Sequence, residues 1–285
     1  MELQQQQFFN LLLLLLLGMF FSDFYLAYYE VGAIFAFTLT LSALLNYPYQ
    51  EKFFIHYSSF STTIGVILLM VTTHLWIYGT VILLGLLQKR YLRVEGKHFF
   101  NPSNFALAIS LFLFYDEAHL LLGQLSYEVW LVAILVVVAV SILIRANRWV
   151  ISLSFVLFYF LFQYLLVIDY NPILLMEDVY YRFYSIAFIL FVCFMLTDPK
   201  VTPHAYQHQV IFAFLIALVG SLLDRYYGFR VQHLFLVLFG FSPLVWLFEK
   251  PSKKLAIASI VLGMVALTII IIIETKVPYY FSMSS

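Results

Sequence analysis

Two short polar stretches hold the residues of this chain best placed to do chemistry. The first reads Gly96-Lys97-His98-Phe99-Phe100-Asn101-Pro102-Ser103-Asn104-Phe105. Asn101 is a good helix N-cap, and Pro102 suits the first helical position, where its missing N–H costs nothing. The free N–H groups and positive end of such a helix favour an anion or an electron-rich ligand. A plain helix cap would use the same residues. The second stretch reads Phe194-Met195-Leu196-Thr197-Asp198-Pro199-Lys200-Val201-Thr202-Pro203-His204. Pro199 stops a helix and pushes Asp198 out of helical geometry. A carboxylate beside a helix C-terminus is electrostatically unfavourable, so Asp198 calls for a partner, Lys200 or a basic loop residue. Asn101 and Asp198 fall on the same predicted face, where the two corners would frame a small pocket.

Other reactive side chains are sparse. The single cysteine, Cys193, lies inside an apolar run and reads as a buried core residue. Alone it makes no internal disulfide and holds no iron–sulfur cluster. His74 and His233 both fall near span ends, a poor arrangement for two axial haem ligands. His204 and His208 are four apart, a spacing that can share a metal on a helix, but no third ligand accompanies them. Phosphate-binding loops, dinucleotide fingerprints and serine nucleophile elbows are absent.

The elements that position these corners follow from composition. Of 285 residues, 64% are apolar and 11% charged, with zero net charge. A soluble domain carries roughly 25% charged and 45–50% apolar residues. The deviation excludes a soluble enzyme, a disordered chain and a coiled coil, and the charge balance gives no case for nucleic acid. The fold class is all-α, a polytopic membrane protein in a single transmembrane domain over residues 1–285. Apolar runs bounded by charge or proline predict spans at 8–22, 29–47, 61–73, 74–89, 103–115, 128–145, 149–168, 182–197, 208–223, 231–248 and 255–275. A straight crossing needs about 20 residues. Segments 61–73 and 103–115 are therefore expected to be half-helices meeting inside the protein, the only place where broken backbone is tolerated at membrane depth.

The start, MELQQQQFFNLLLLLLLGMFF, lacks a basic n-region and a small-residue cleavage site, so residues 8–22 read as a retained first helix. With the N-terminus cytoplasmic, the cytoplasmic loops hold Lys52, Lys89, Arg90, Arg93, Lys97, Arg145, Arg148, Lys200, Lys250, Lys253 and Lys254, which are 11 of 15 basic residues. The outer side keeps Arg182, Arg225, Arg230 and Lys276, among acidic residues that include Asp224 and Glu274. The positive-inside rule supports this orientation in a bacterial inner membrane. Tyrosines near span ends, such as Tyr180/Tyr181 and Tyr226/Tyr227, read as an interfacial belt.

With the two motifs reading GKHFFNPS and FMLTDP, the chain resembles the NqrB/RnfD membrane subunits of sodium- or proton-coupled redox complexes. That family shows a G-[KR]-x-x-[FL]-N-P-[AS] element followed by F-M-x-T-D-P. The serine-rich stretch Ser58-Ser59-Phe60-Ser61-Thr62-Thr63-Ile64-Gly65 is similar to the family's short segment ahead of the first motif. The match is closest to its small UnbU-type branch, through Lys89-Arg90-Tyr91-Leu92-Arg93 followed by Gly96-Lys97-His98. The resemblance covers roughly residues 30–250 and implies about 10–11 transmembrane helices.

It also implies a membrane electron-transfer subunit of an oxidoreductase complex, in which a riboflavin or FMN binds non-covalently near the cytoplasmic side. Carried over residue by residue, the contacts fall on His98 and Asn101, with Asn104, Thr197 and Asp198 supporting. An amide can donate and accept, matching the C=O/N–H edge of an isoalloxazine ring, and a neutral histidine can do one of each. The family's second flavin is FMN attached through an S-G-A-T threonine. This sequence has no such element. In the corresponding region, near 115–128, Ser126 is the hydroxyl of that kind, so no covalent FMN is expected. Other membrane or lipoprotein redox subunits are the implied partners. Two rival expectations remain: a transporter built around the broken helices, and a cofactor-free membrane anchor for a partner protein.

Overall fold

The structure, a computed structural model, describes residues 3–46, 57–122, 129–170 and 174–276. The chain is an all-α multi-pass membrane protein. In chain order the helices begin with α1 (Leu3–Phe21), α2 (Tyr28–Asn46) and α3 (Tyr57–Leu69), which runs into strand β1 (Met70–Thr72). Next come α4 (Leu75–Tyr91), the hairpin strands β2 (Arg93–Val94) and β3 (Lys97–His98), α5 (Pro102–Leu113) and strand β4 (Ala118–Leu120). Then follow α6 (Val129–Ala146), α7 (Trp149–Phe162, prolonged by a π-helical turn to Ile168), α8 (Met176–Tyr184) and α9 (Ile186–Leu190, prolonged likewise to Met195). Last are α10 (Tyr206–Tyr227), α11 (Gln232–Phe241, tightening to 3-10 geometry up to Glu249) and α12 (Lys253–Thr275).

Among the described residues, six helices are long and apolar enough to cross a membrane: α1, α2, α7, α10, α11 with its extension, and α12. The pair α8 and α9, bent by 57° between them, is together long and apolar enough for a seventh. The bend has a local cause. Ser185 adopts extended backbone, ending α8, and its Oγ accepts from Phe188 N–H at 3.2 Å, capping α9. The predicted span 182–197 therefore starts earlier, at Met176, and breaks at Ser185.

The short helices lie at the centre, as expected, with shifted limits of 57–69 and 102–113. From Ser59 to Leu69 every residue of α3 is buried, and α1, α2, α4 and α5 pack around it. Where the two short helices end, their backbone is finished by a strand pair. β1 runs antiparallel to β4, with Met70 opposite Leu120 and Thr72 opposite Ala118. This pairing satisfies N–H and C=O groups that would otherwise be costly inside a bilayer. Tyr78 Oη of α4 donates to Met70 O at 2.8 Å and ties the strand to the next helix. Sparse polar seams join other helices: Thr38 and Thr63 share a 2.8 Å hydrogen bond between α2 and α3, and Ser152 Oγ of α7 donates to Val192 O at 2.9 Å.

The outer surface is apolar, as contact with lipid requires. Val137 and Ile144 of α6 and Met264 and Ile271 of α12 are each more than 60% exposed. Tyr180, Tyr181 and Tyr226 are exposed as a belt would be, whereas Tyr227 is half-buried. The loop position Ser126 lies outside the described residues.

Candidate functional site

The β2–β3 hairpin sets up the first corner. Its turn residues Glu95 and Gly96 both have positive φ, 53° and 74°, as a two-residue type I′ turn demands. The hairpin is pinned to the end of the chain. Ser252 Oγ, the cap of α12, donates to Glu95 Oε1 at 2.7 Å, and Trp246 Nε1 donates to His98 O at 2.8 Å. From this anchored strand the chain passes through buried Phe99 and Phe100 and enters α5 at Asn101.

Asn101 is the N-cap. Its Oδ1 accepts from Ser103 N at 3.1 Å and Asn104 N at 3.2 Å, with Pro102 at the first helical position. Its Nδ2 donates to Asp198 Oδ2 at 3.0 Å. The two proline-punctuated corners, 97 residues apart in sequence, are therefore bonded directly to each other. The other carboxylate oxygen, Asp198 Oδ1, accepts from Lys200 N at 3.0 Å, and Thr202 Oγ1 donates to Asp198 O at 2.7 Å. Asp198 is thus the organiser of its own turn as well as the partner of Asn101.

Between the corners lies a cleft of about 150 Å³. Gln4, Gln7 and Leu11 of α1 and Ser58, Ser61, Thr62 and Gly65 of α3 form one wall; His98, Phe100 and Asn101–Ser103 form another. Lys89 closes α4, and Leu190, Phe194, Met195 and Asp198–Lys200 complete the lining. Exposed Pro199 and Lys200 mark its mouth. Gly65 lets α3 approach the start of α5, since a Cβ there would meet Ser103 Oγ at 3.1 Å.

The cleft is electropositive. Lys89 Nζ donates to Ser58 Oγ, and Lys200 stands at the mouth. Burial, then the charges of Arg93, Lys200 and Lys89, push the His98 imidazole down to about 4. His98 is therefore neutral at physiological pH, and its buried Nδ1 has no hydrogen-bond partner among the described residues. The carboxylate of Asp198 is spent on Asn101 and Lys200, so this arrangement suits recognition of an electron-rich or anionic group better than acid–base chemistry.

Of the five residues expected from sequence, His98, Asn101 and Asp198 line the cleft together. Thr197 and Asn104 do not. Thr197 is buried and donates to Cys193 O at 2.6 Å, a bond within its own helix end. Asn104 is buried one turn into α5, and both polar atoms of its amide lack partners among the described residues. Lys89, Ser58 and Ser61 reach the cleft without having been singled out for it, because nothing in their local sequence reveals that α3 begins and α4 ends beside Asn101. Cys193 is buried, as expected. The histidine pairs separate: His204 lies 2.7 Å from Arg148 Nη2, while His208 packs against Phe248. His74 stacks on Trp76, whereas His233 sits between two carboxylates. No group of three metal-binding side chains with metal-site geometry occurs among the described residues.

No family model matches this sequence, and no curated protein matches it.

Proposed function

We propose that the protein is a membrane-embedded electron-transfer subunit that holds a non-covalent flavin, riboflavin or FMN, in the Asn101–Asp198 cleft. On this reading the cleft faces the cytoplasm from a bacterial inner membrane, the N-terminus lies on the same side, and partner redox subunits dock there. The observation that carries the proposal is the cationic cleft itself: two motif corners hydrogen-bonded to each other around the Nδ1 of a neutral histidine, which has no partner among the described residues.

The residues suit the pyrimidine edge of an isoalloxazine ring. Its carbonyl oxygens and N1 accept, which fits Lys89 and Lys200; its N3–H donates, which fits His98 Nδ1 as an acceptor. A cavity of about 150 Å³ holds a group the size of one benzene ring. The enclosed part therefore takes that edge, and the remaining rings extend through the mouth past Pro199 and Lys200. A bound flavin would supply one- and two-electron chemistry. The protein's own contribution is to orient the ring and, through Lys89 and Lys200, to favour its more electron-rich reduced form. Asn101 and Asp198 hold the two walls together.

The test is the flavin content of detergent-purified protein, read by absorbance and by fluorescence after denaturation. Flavin in proportion to protein is expected, with large losses in Lys89→Ala and in Ser61→Phe, which fills the cleft. Protein that is colourless and takes up neither added riboflavin nor added FMN would defeat the proposal. One feature favours a second reading. The interrupted helices α3 and α5, each finished by a buried strand, resemble the discontinuous helices around which transporters bind substrate. Uptake of a small anion into proteoliposomes without any flavin requirement would select that reading.

A further inference from the structure

A second polar cluster occupies the opposite end of the bundle. Asp224 lies 18 residues beyond Tyr206, the first residue of α10, which is about 27 Å along that helix. Arg182, Tyr159, Asp224, His233 and Glu274 come from α8, α7, α10, α11 and α12, and each is at most 2% exposed. Arg182, Asp224 and Glu274, expected on the outer side from the charge pattern, are buried there by the fold.

Asp224 is saturated with donors. Its Oδ2 accepts from Arg182 Nη1 at 2.6 Å, Gln163 Nε2 at 2.8 Å and Tyr159 Oη at 2.9 Å. Its Oδ1 accepts from Arg230 N at 3.1 Å and lies 2.7 Å from His233 Nδ1. An ionised carboxylate can only accept, so Nδ1 carries a proton and donates it to Asp224. That leaves the other ring nitrogen. Nε2 faces Glu274 Oε2 at 3.4 Å, and neither atom has another hydrogen-bond partner among the described residues. Glu274 Oε1 is already held by Gln232 Nε2 at 3.1 Å.

A bare nitrogen lone pair facing a bare carboxylate oxygen in a dry interior is repulsive and doubly unsatisfied. One proton between them cures both faults. We infer that the gap between His233 and Glu274 is a buried proton-binding site that exchanges with the aqueous phase at the Glu274 end. The charge balance agrees. Arg182, Asp224 and Glu274 sum to one negative charge, and the shared proton brings the cluster to zero. With the proton on His233 the ring is imidazolium and Glu274 a carboxylate. When the proton moves to Glu274, the Nε2–H bond breaks as an O–H bond forms, and the neutral ring keeps its Nδ1 proton on Asp224. On release the proton passes to water as hydronium, and the cluster is left with one net negative charge.

Access is one-sided. Thr275 and Lys276, directly after Glu274, are exposed, and Gln232 is half-buried. Toward the membrane interior, Phe155 and Phe188 lie against Tyr159 at ring separations of 5.3 and 5.7 Å, both buried. Among the described residues, other charged or titratable groups near His233 are few. Arg182 and Tyr159 stand behind Asp224, and Arg230 hydrogen-bonds Tyr115, just past α5, which itself has no titratable side chain. Lys276 is turned to Phe112 O, and Arg225 to Leu166 O and the Tyr170 ring. This inference is independent of what the Asn101 cleft binds.

The test is an infrared pH titration of the full-length protein in nanodiscs, with glutamate carboxyls isotope-labelled to separate their bands. A glutamate signal titrating together with an imidazole signal is expected in the wild type. The glutamate signal should be absent in Glu274→Gln, and in Glu274→Asp the imidazole signal should persist with a displaced midpoint. Unchanged titration in a folded Glu274→Gln overturns the inference. If that variant does not fold, an unmoved midpoint in Glu274→Asp does so. A wild type in which no glutamate or histidine signal titrates together over the folded pH range also overturns it and makes the cluster a static ion network.

Discussion

Asn101 shows how one side chain can be read correctly by type yet do more than its type announces. Its oxygen is consumed in capping α5 and one of its amide hydrogens in holding Asp198. It is therefore a positioning residue for the cleft, and replacing it disturbs a helix start and a cross-motif bond at once. His98 is the residue left free to meet a ligand. Burial foremost, then Arg93, Lys200 and Lys89, lower it to about 4, against about 6.5 in an unfolded chain. Between those two values the unfolded state binds more protons than the folded state. Stability therefore rises with pH across that window and falls as the medium is acidified from 6.5 toward 4. Histidine-selective NMR should find the His98 resonance still neutral at pH 5.5, with its midpoint near 4. His98→Asn should remove that share of the acid sensitivity. A His98 midpoint at or above 6.5 would show that the ring is neither buried nor surrounded by cations.

At the scale of elements, the cleft depends on how closely α4 and α5 approach. A Cβ on Gly85 would lie 2.9 Å from Pro102 O and 3.2 Å from Ala106 Cβ. Pro102 O belongs to backbone and cannot swing away, so Gly85→Ala must push the start of α5 off α4. The cost should be about 1–3 kcal/mol, in the range of core overpacking, and the Asn101–Asp198 contact should loosen with it. Gly263 is the control. A Cβ there would come 2.6 Å from Leu244 Cδ2, the tip of a flexible side chain, so Gly263→Ala should be milder. Unfolding measurements on both variants check the order; a Gly263 cost equal to or above that of Gly85 would refute it. Much of this level was legible beforehand. The eleven apolar segments each hold a helix, and the two short ones are the buried central pair, because length and hydropathy are local properties. The 57° break at Ser185 was not legible, since a lone serine in an apolar run becomes a cap only when its Oγ meets Phe188 N–H. Nor was the meeting of Lys89 and Ser58 with Asn101, which depends on long-range packing. The motif corners were legible because proline and asparagine restrict the backbone whatever surrounds them.

Over the whole molecule, charge is sorted by end and by burial. The cationic cleft with the Asn101–Asp198 bond opens at one end of the bundle, while at the other Arg182, Asp224, His233 and Glu274 are sealed inside. The bent α8–α9 pair contributes to both: Arg182 precedes the break, and Leu190, Phe194 and Met195 follow it. A sequence reader sees the buried members as unrelated, 42, 9 and 41 residues apart, each beside a helix end where solvated charges are usual. Their interdependence has a measurable consequence. Arg182→Met strands Asp224 with one fewer cation in a dry interior, and Asp224→Asn strands Arg182. Each single change should cost about 3–5 kcal/mol, the scale for breaking a buried ion pair. The double variant Arg182→Met/Asp224→Asn removes both charges, so neither group is left uncompensated. It should be destabilised by clearly less than the sum of the two singles, because residues in one buried network are not additive. Unfolding free energies of the four proteins in one detergent give the coupling term directly. Costs that simply add would mean that Arg182 and Asp224 act separately, with His233 and Tyr159 sufficing to hold the carboxylate.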